Sequence, residues 1–269
     1  MERQLRLYIA GMGRMGKLVQ GLGVEDPAFA SIHGFDCSGD VISQGLQNCD
    51  ILDPTSMEAT FERAVTIQQR PHALLIITND PSAVVQQAEI AAKYGINVVV
   101  GTTGLADAHL LLLSHIARTV AVLQTTNFSR GVTVLKSLAA KAAAAMGIEF
   151  GVEIVEIHHG GKEDAPSGTA LTLANVVADA RGQDFDEVSI YGRKGKTGKR
   201  PLGQICVHAL RGGDVAGEHT VHFLGAGERL ELTHKASSRE NFAHGALAAV
   251  KFIADKPAGL YSMEAVYGL

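Results

Sequence analysis

LRLYIAGMGRMG, the stretch from Leu5 to Gly16, decides the fold. Leu5 to Ala10 is an almost unbroken apolar run of strand length, the pattern of a strand covered on both faces. Gly11-Met12-Gly13-Arg14-Met15-Gly16 interrupts it, and a helical pattern follows. Each glycine has a mechanical reason. Gly11 permits a tight turn, Gly13 lets the backbone approach a pyrophosphate, and Gly16 lets the helix pack closely on the strand. The helix N-terminus then offers free N–H groups and a favourable dipole to phosphates. Asp36 stands 20 residues beyond Gly16, after a second strand, where a carboxylate can accept hydrogen bonds from ribose hydroxyls. Spaced glycines also occur where a helix merely packs on a sheet. The strand–turn–helix setting and Asp36 together favour a dinucleotide site.

Outward from this turn, strands and helices alternate. Met57, Phe61, Ala64 and Val65 fall on one helical face, and Ala73 to Thr78 reads as a buried strand. Pro81 opens a helix that Gly95 can close. Ile96 to Val100 is a strand ending in Gly101-Thr102-Thr103-Gly104; a leucine-rich helix and the strand Thr119 to Leu123 follow. Such alternation predicts a parallel sheet with helices on both faces. Cys37 to Pro54 shows no clear period. The pattern changes after Asn127. Val132, Leu135, Leu138 and Ala142 mark a long helix ending at Gly147, and Phe150 to His159 reads as a strand. A helix from Ser167 to Arg181 precedes strand candidates at Gln204 to Leu210, His219 to Leu224 and Arg229 to His234. Short glycine-containing turns between these strands predict a mostly antiparallel or mixed sheet carrying helices. Phe242, Leu247, Val250 and Ile253 mark a last helix. The class is α/β: a Rossmann-like parallel-sheet domain plus an α+β domain.

Composition narrows the function. With 46% hydrophobic and 19% charged residues, the chain can bury a large core. A formal net charge of -4 argues against a nucleic-acid partner. No apolar run approaches the ~20 residues of a membrane span, so no membrane partner is expected. Cys37, Cys49 and Cys206 form neither a disulfide framework nor a zinc pattern; a reducing cytoplasm and no metal are expected. Gly195-Lys196-Thr197 resembles the end of a P-loop, but Ile190 stands where that motif needs glycine. Arg193, Lys194, Lys196, Lys199 and Arg200 therefore read as a solvated basic loop, with a lid or an anion-attracting rim as the functional alternative.

The chemistry concentrates in EIVEIHHGGKEDAPSGTA, Glu153 to Ala170. A strand delivers His158 and His159 with side chains on opposite faces. A loop carries Lys162, and Ser167 is placed to cap the next helix. Taken singly, each residue is ordinary. Together, histidine, lysine, hydroxyls and a helix N-terminus make a site for carboxylates.

This stretch resembles the signature of the 4-hydroxy-tetrahydrodipicolinate reductase (dihydrodipicolinate reductase) family, roughly Glu-x-His-His-x-x-Lys-x-Asp-x-Pro-Ser-Gly-Thr-Ala, and fits it without a gap from Glu156 to Ala170. Gly101-Thr102-Thr103-Gly104, Asn127-Phe128-Ser129, Gly213-Asp214-Val215-x-Gly217-Glu218-His219-Thr220, Gly227-Glu228-Arg229-Leu230-Glu231 and His234-Lys235-Ala236-Ser237-Ser238-Arg239 occur in the family's order. The chain departs from the family in its compact first glycine loop, in the segment between Asp36 and Ala73, and in Ile77-Thr78-Asn79-Asp80-Pro81, where many members have Phe-Thr-x-Pro.

The resemblance implies a dinucleotide-binding domain from residues 1–126 and 237–269 and a substrate-binding and oligomerisation domain from 127–236, with a hinge near Asn127 and Ser237. It implies reduction of 4-hydroxy-tetrahydrodipicolinate, or the derived dihydro species, to tetrahydrodipicolinate in diaminopimelate and lysine biosynthesis. His158 is expected to donate the proton, and Lys162 to neutralise charge and hold the substrate. His159, Ser167, Gly168 and Thr169 would bind a carboxylate of the small dicarboxylate substrate. Gly11, Gly13, Arg14, Met15, Gly16, Asp36, Gly101, Thr102, Thr103, Asn127 and Phe128 would contact the cofactor. Members favouring NADPH commonly carry an arginine just after the acidic residue; Cys37 and Ser38 follow Asp36 here. NADH preferred or dual use of NADH and NADPH is therefore expected. A homotetramer built through the second sheet is implied as well. Two rivals stay open on the residues alone. One is another two-domain Rossmann reductase of the homoserine or aspartate-semialdehyde dehydrogenase type. The other is a non-catalytic dinucleotide sensor, which would need no His-His-x-x-Lys cluster.

Overall fold

The computed structural model describes residues 5–36, 50–67 and 72–269. Cys37, Ser38 and Cys49 lie outside the described residues. The chain forms two compact units, Met1–Phe128 with Glu240–Gly268, and Ser129–Arg239. The first opens with β1(Leu5–Ala10), α1(Arg14–Val24), β2(Phe29–Phe35), β3(Asp50–Leu52), α2(Met57–Ile67) and β4(His72–Ile76). It continues with α3(Pro81–Lys93), β5(Asn97–Val100), α4(Asp107–Ile116) and β6(Ala121–Gln124). The second unit holds α5(Arg130–Met146), β7(Gly151–His158), α6(Gly168–Ala180) and α7(Phe185–Val188), then β8(Ser189–Tyr191), β9(Ile205–Arg211), β10(Glu218–Leu224) and β11(Arg229–Lys235). The chain returns to the first unit with α8(Glu240–Ile253), β12(Gly259–Tyr261) and α9(Met263–Tyr267).

The first unit is built on a seven-stranded sheet in the order β12-β6-β5-β4-β1-β2-β3. Its pairings are parallel throughout. Successive side chains point to opposite faces, so a strand apolar at every position feeds two cores. Leu7 and Ile9 of β1 join Val19 of α1 and Ala246, Leu247 and Val250 of α8 on one face. Tyr8 and Ala10 join Phe61 of α2, Val84 and Ala88 of α3 and Leu113 of α4 on the other. Local chemistry sets the helix ends. Asp80 caps α3 by accepting from the Ser82 N–H at 2.9 Å, with Pro81 at the first position, and Gly95 follows it at φ +67. Strands β1, β2, β4, β5 and β6 therefore all end on one edge, the edge at which ligands bind in open α/β sheets.

The second unit carries a mixed five-stranded sheet, β11-β10-β7-β9-β8. β7 pairs antiparallel with β10 and parallel with β9. Val152 and Ile154 of β7, Val207 of β9 and Val221 and Phe223 of β10 face α5 and α6 across a core of Leu135, Ala139, Leu173, Ala174 and Val177.

Three expectations change. Val65 is exposed, because Met57, Phe61 and Ala64 already fill the α2 contact. Leu138 is also exposed: the buried stripe of α5 runs through Leu135, Ala139 and Ala143, which leaves Leu138 on its edge. The short elements β3, β8, β12, α7 and α9 went unassigned, being three to five residues long and thus too brief to establish a period. Among the described residues, no helix is long and apolar enough to cross a membrane.

Candidate active site

In the second unit the functional side chains gather where β7 ends. Inward-facing positions of β7 read Val152, Ile154, Glu156, His158, so a carboxylate occupies a core position. Glu156 is 0% exposed. An unpaired charge there would be very costly, and the register supplies its partners. His158 lies opposite Arg211 of β9, and Glu156 opposite His219 of β10. Arg211 donates to Glu156 through two nitrogens, Nη1 to Oε2 and Nη2 to Oε1, each at 2.8 Å. The Ser167 N–H donates to Oε1 at 2.9 Å, and His158 Nδ1 lies 2.6 Å from Oε2. Burial alone would raise the Glu156 pKa, but the hydrogen bonds from Arg211, His158 and Ser167 outweigh it and hold the carboxyl below its ordinary value.

Ser167 is buried at the head of α6. Its Oγ accepts from the Ala170 N–H at 3.2 Å and lies 3.1 Å from His219 Nε2. It is therefore a helix cap and an organiser: its N–H is held by Glu156, and its hydroxyl is shared between the Ala170 N–H and His219. Gly168 is exposed and Thr169 half-buried at the same helix start. His219 packs edge-on against His158, with ring centroids 5.3 Å apart. Burial, and then the neighbouring His158, push the His219 pKa down to about 4, so its ring is neutral at neutral pH. Lys162 Nζ donates to both oxygens of the exposed Asp164 carboxylate, at 2.7 and 2.9 Å. His159 stands just past the strand with its backbone N–H on Val215 O; its Nε2 lies 3.4 Å from Arg239 Nη2.

The first unit gathers the other expected residues at the carboxyl edge of its sheet. Gly11 adopts φ +102, and a Cβ there would lie 2.8 Å from the Thr78 N and 2.9 Å from the Ile77 carbonyl. A Cβ at Gly16 would strike the Gly11 carbonyl oxygen, so this glycine lets α1 close on the turn. Gly13 differs: nothing lies within 4 Å of its Cβ position. It is the N-cap of α1, without a side-chain cap, so the turn presents open backbone to the outside. Arg14 is exposed and Met15 half-buried beside it. Asp36 accepts from the Met12 N–H at 2.7 Å and thereby ties the second strand to the glycine turn. Of the remaining positions, Thr103 is exposed and Asn127 half-buried. Thr102 is buried with its hydroxyl on Thr78 O at 2.8 Å, and the Phe128 ring is buried against Gly101. Those two side chains are core pieces. Their backbone is what reaches the edge. Open backbone at a helix start, a positive-φ glycine and a carboxylate after the second strand fit the pyrophosphate and ribose of a dinucleotide.

The basic run is an exposed loop, as expected, but two of its cations are paired. Arg193 and Arg200 both donate to Glu153 on the outer face of β7, and His208 Nε2 lies 2.7 Å from it. Burial would raise Glu153, yet these partners hold it down at about 2. A half-buried carboxylate draws in the two guanidinium groups; Arg200 is half-buried, while Arg193, Lys194, Lys196 and Lys199 are exposed. Glu153, Cys206 and His208 also bring ligand-type atoms within 4.8 Å of one another, but that carboxylate is already committed to the two guanidinium groups.

Sequence reading assigned no role to Glu156, Arg211 or His219. A glutamate at an inward strand position was the available signal for the first. Arg211 lies 55 residues away, and nothing local announces it.

Similarity to known proteins spans nearly the whole chain. A family model described as "Dihydrodipicolinate reductase, N-terminus" matches residues 5–128, and one described as "Dihydrodipicolinate reductase, C-terminus" matches residues 131–267. The chain is 39% identical over 262 residues to a 4-hydroxy-tetrahydrodipicolinate reductase of Desulfovibrio desulfuricans, covering 97% of this chain and 98% of that one. It is 51% identical over 184 residues to the protein of the same name from an Anaeromyxobacter species, covering 68% and 69% of the two chains. In fold it is similar to a dipicolinate-bound dihydrodipicolinate reductase from Paenisporosarcina sp. TG-14, with TM-score 0.75, 22% identity and coverage of 96% and 97%.

Proposed function

Because the chain belongs to the dihydrodipicolinate reductase family, we propose that it acts through the residues gathered at the end of β7 and the start of α6. Its activity is that of a 4-hydroxy-tetrahydrodipicolinate reductase: it is an oxidoreductase that forms tetrahydrodipicolinate in diaminopimelate and lysine biosynthesis. The observation that carries the assignment of residues is the shared carboxylate Glu156, which holds both His158 and the Ser167 turn.

NAD(P)H, when bound, supplies the hydride. The first unit binds it, with the Gly11–Gly16 turn and the N-terminus of α1 at the pyrophosphate and Asp36 at the ribose. Gly101, Thr102, Thr103, Asn127 and Phe128 border it through their backbone. The second unit binds the substrate, a dianion that calls for cations and N–H donors. Gly168 and Thr169 offer N–H groups at the start of α6, and His159 and the Ser167 hydroxyl complete a carboxylate site. Lys162 moves from Asp164 toward the substrate and offsets its charge. His158 gives a proton from Nε2 to the ring carbon next to the one reduced.

NADH is preferred or both cofactors are used, since a carboxylate at position 36 suits free ribose hydroxyls and repels a 2′-phosphate, while Arg14 and Lys17 retain some attraction for it. The chain assembles as a homotetramer through the outer face of the β7 sheet and works in the cytoplasm, whose reducing conditions suit the buried thiol of Cys206. The test is a coupled assay in which dihydrodipicolinate synthase, pyruvate and aspartate semialdehyde generate the substrate. Loss of NADH or NADPH absorbance at a rate proportional to this chain is expected. A rate equal to that without it would overturn the assignment.

A further inference from the structure

We propose that Glu156, held in place by Arg211, is the positioning residue that fixes the tautomer and orientation of His158, so that Nδ1 keeps its hydrogen and Nε2 is the atom that exchanges a proton with substrate. This rests on the reading of His158 as the proton donor and adds what makes it one.

Three N–H donors besides His158 surround one carboxylate. Arg211 gives two N–H groups to Glu156 and the Ser167 backbone gives a third. Each of these can only donate. Glu156 is 0% exposed, so no water competes for its oxygens. A carboxylate surrounded by a guanidinium and an amide stays ionised and is acceptor only. The 2.6 Å contact to His158 Nδ1 therefore requires the hydrogen on the histidine nitrogen. A neutral imidazole carries one N–H, so Nε2 must then bear the lone pair. Among the described residues, His158 Nε2 makes no hydrogen bond. A Cβ at Gly217 would lie 3.1 Å from it, so the glycine keeps that side of the ring clear.

Orientation follows from the same contacts. Arg211 sits directly beside His158 in the parallel β7–β9 register, and its Nη2 is also tied to the Asp164 carbonyl at 2.7 Å. Glu156 is thus gripped from the sheet and from the Ser167 turn, and it cannot rotate away without stranding both. His219 packs edge-on against the His158 ring and limits its tilt. In the cationic ring both nitrogens carry protons. When Nε2 releases its proton to the substrate carbon, the neutral ring is left with hydrogen on Nδ1, already in place on Glu156, and no ring flip is needed before reprotonation at Nε2.

The test reads the tautomer and the kinetics together. In chain labelled with nitrogen-15 histidine, the His158 signals are identified by their loss in His158→Gln. In the neutral ring, the parent should show Nδ1 protonated and Nε2 bare. That reading needs no Glu156 variant, so it stands even if Glu156→Gln fails to fold. In a folded Glu156→Gln chain, the amide oxygen can still accept from Ser167 and one Arg211 nitrogen, but an NH2 group replaces Oε2 opposite His158 Nδ1, and the tautomer should shift toward Nε2–H. Turnover should then fall about 10- to 100-fold, the loss expected when a proton donor is misplaced, and it should fall together with the change of tautomer. A parent His158 found as the Nε2–H tautomer overturns the inference. So does a Glu156→Gln chain with parental turnover when His158→Gln is crippled. A His158→Gln chain with full activity overturns the proton-donor reading itself, and the inference with it.

Discussion

His158 and Lys162 stand four positions apart in the sequence, yet each is held by a different carboxylate, Glu156 for the first and Asp164 for the second. Their variants should differ accordingly. His158→Gln removes a proton donor, and turnover should drop about 10²- to 10⁴-fold with little change in substrate KM. Lys162→Ala removes a charge that binds as well as stabilises, so both constants should suffer; steady-state kinetics on the coupled assay separates the two cases. His219 predicts an acid sensitivity of the fold. Its pKa in the folded chain is pushed down to about 4 from an ordinary 6.5, first by burial. Between those values the unfolded chain binds the extra proton, so the stability that neutral His219 contributes is full above 6.5 and is lost as pH falls through about 4. Burial lowers His234 as well and adds the same sign. Glu153, held at about 2, and Glu156 act only in more acidic solution, as their carboxylates are protonated. Urea midpoints measured from about pH 6.5 to 4.5 should therefore fall, and His219→Gln should flatten that slope. An unchanged slope would assign the effect to other groups. Asp36 has two jobs to separate. If it only anchors the Met12 turn, Asp36→Ala weakens NADH and NADPH alike. If it also reads the ribose, the ratio of kcat/KM moves toward NADPH.

At the scale of elements, the glycines of the first turn and helix make opposite predictions. Gly11→Ala meets backbone at 2.8 Å and a φ of +102, so it should cost stability by roughly 1–3 kcal/mol. Gly13→Ala meets no protein atom within 4 Å, so its melting temperature should stay near the parent's while its cofactor KM rises; a chain that lost stability instead would contradict the open cradle. Gly21 lies exposed within α1 with open space around it, and Gly21→Ala should stabilise by about 0.5–1 kcal/mol. These roles explain what sequence reading could reach. The change from strand to helix around Gly11–Gly16 happens within one short stretch, so local periodicity exposes β1, the turn and α1 together. Ser167 is legible as a cap because capping is local too. Glu156 and Arg211 are not legible as a pair, since their contact depends on β9 running parallel beside β7, a crossover that no nearby residue encodes. The pairing of Arg193 and Arg200 is hidden for the same reason: their partner Glu153 lies on β7, far away in the sequence. The shortest strands stayed hidden because three residues show no alternation.

At the scale of the whole molecule, the outer face of the second sheet carries the prediction of assembly. Its inner face is covered by α5 and α6. Outward, Val155 and Ile157 of the central strand are only half-buried, and Leu210 and Leu224 are exposed at 45% and 39%. Arg193 and Arg200 cover only the part of this face around Glu153. Apolar side chains on the central strand of an otherwise finished sheet gain most from a second sheet laid against them. The flanking pairs, Thr220 with Thr233 and His222 with Glu231, are polar enough to rim such a contact. On the proposal that four chains meet through this face, light scattering on the eluting protein should give about four times the 28.4 kDa chain mass at micromolar concentration. Val155→Lys places a charge at the centre of the proposed contact, while a single chain could keep that side chain in water. It should lower the mass to that of a dimer or a single chain and leave far-ultraviolet circular dichroism unchanged. A parent that elutes as a 28.4 kDa monomer would refute assembly through this face, and a Val155→Lys chain that remains tetrameric would place the contact elsewhere.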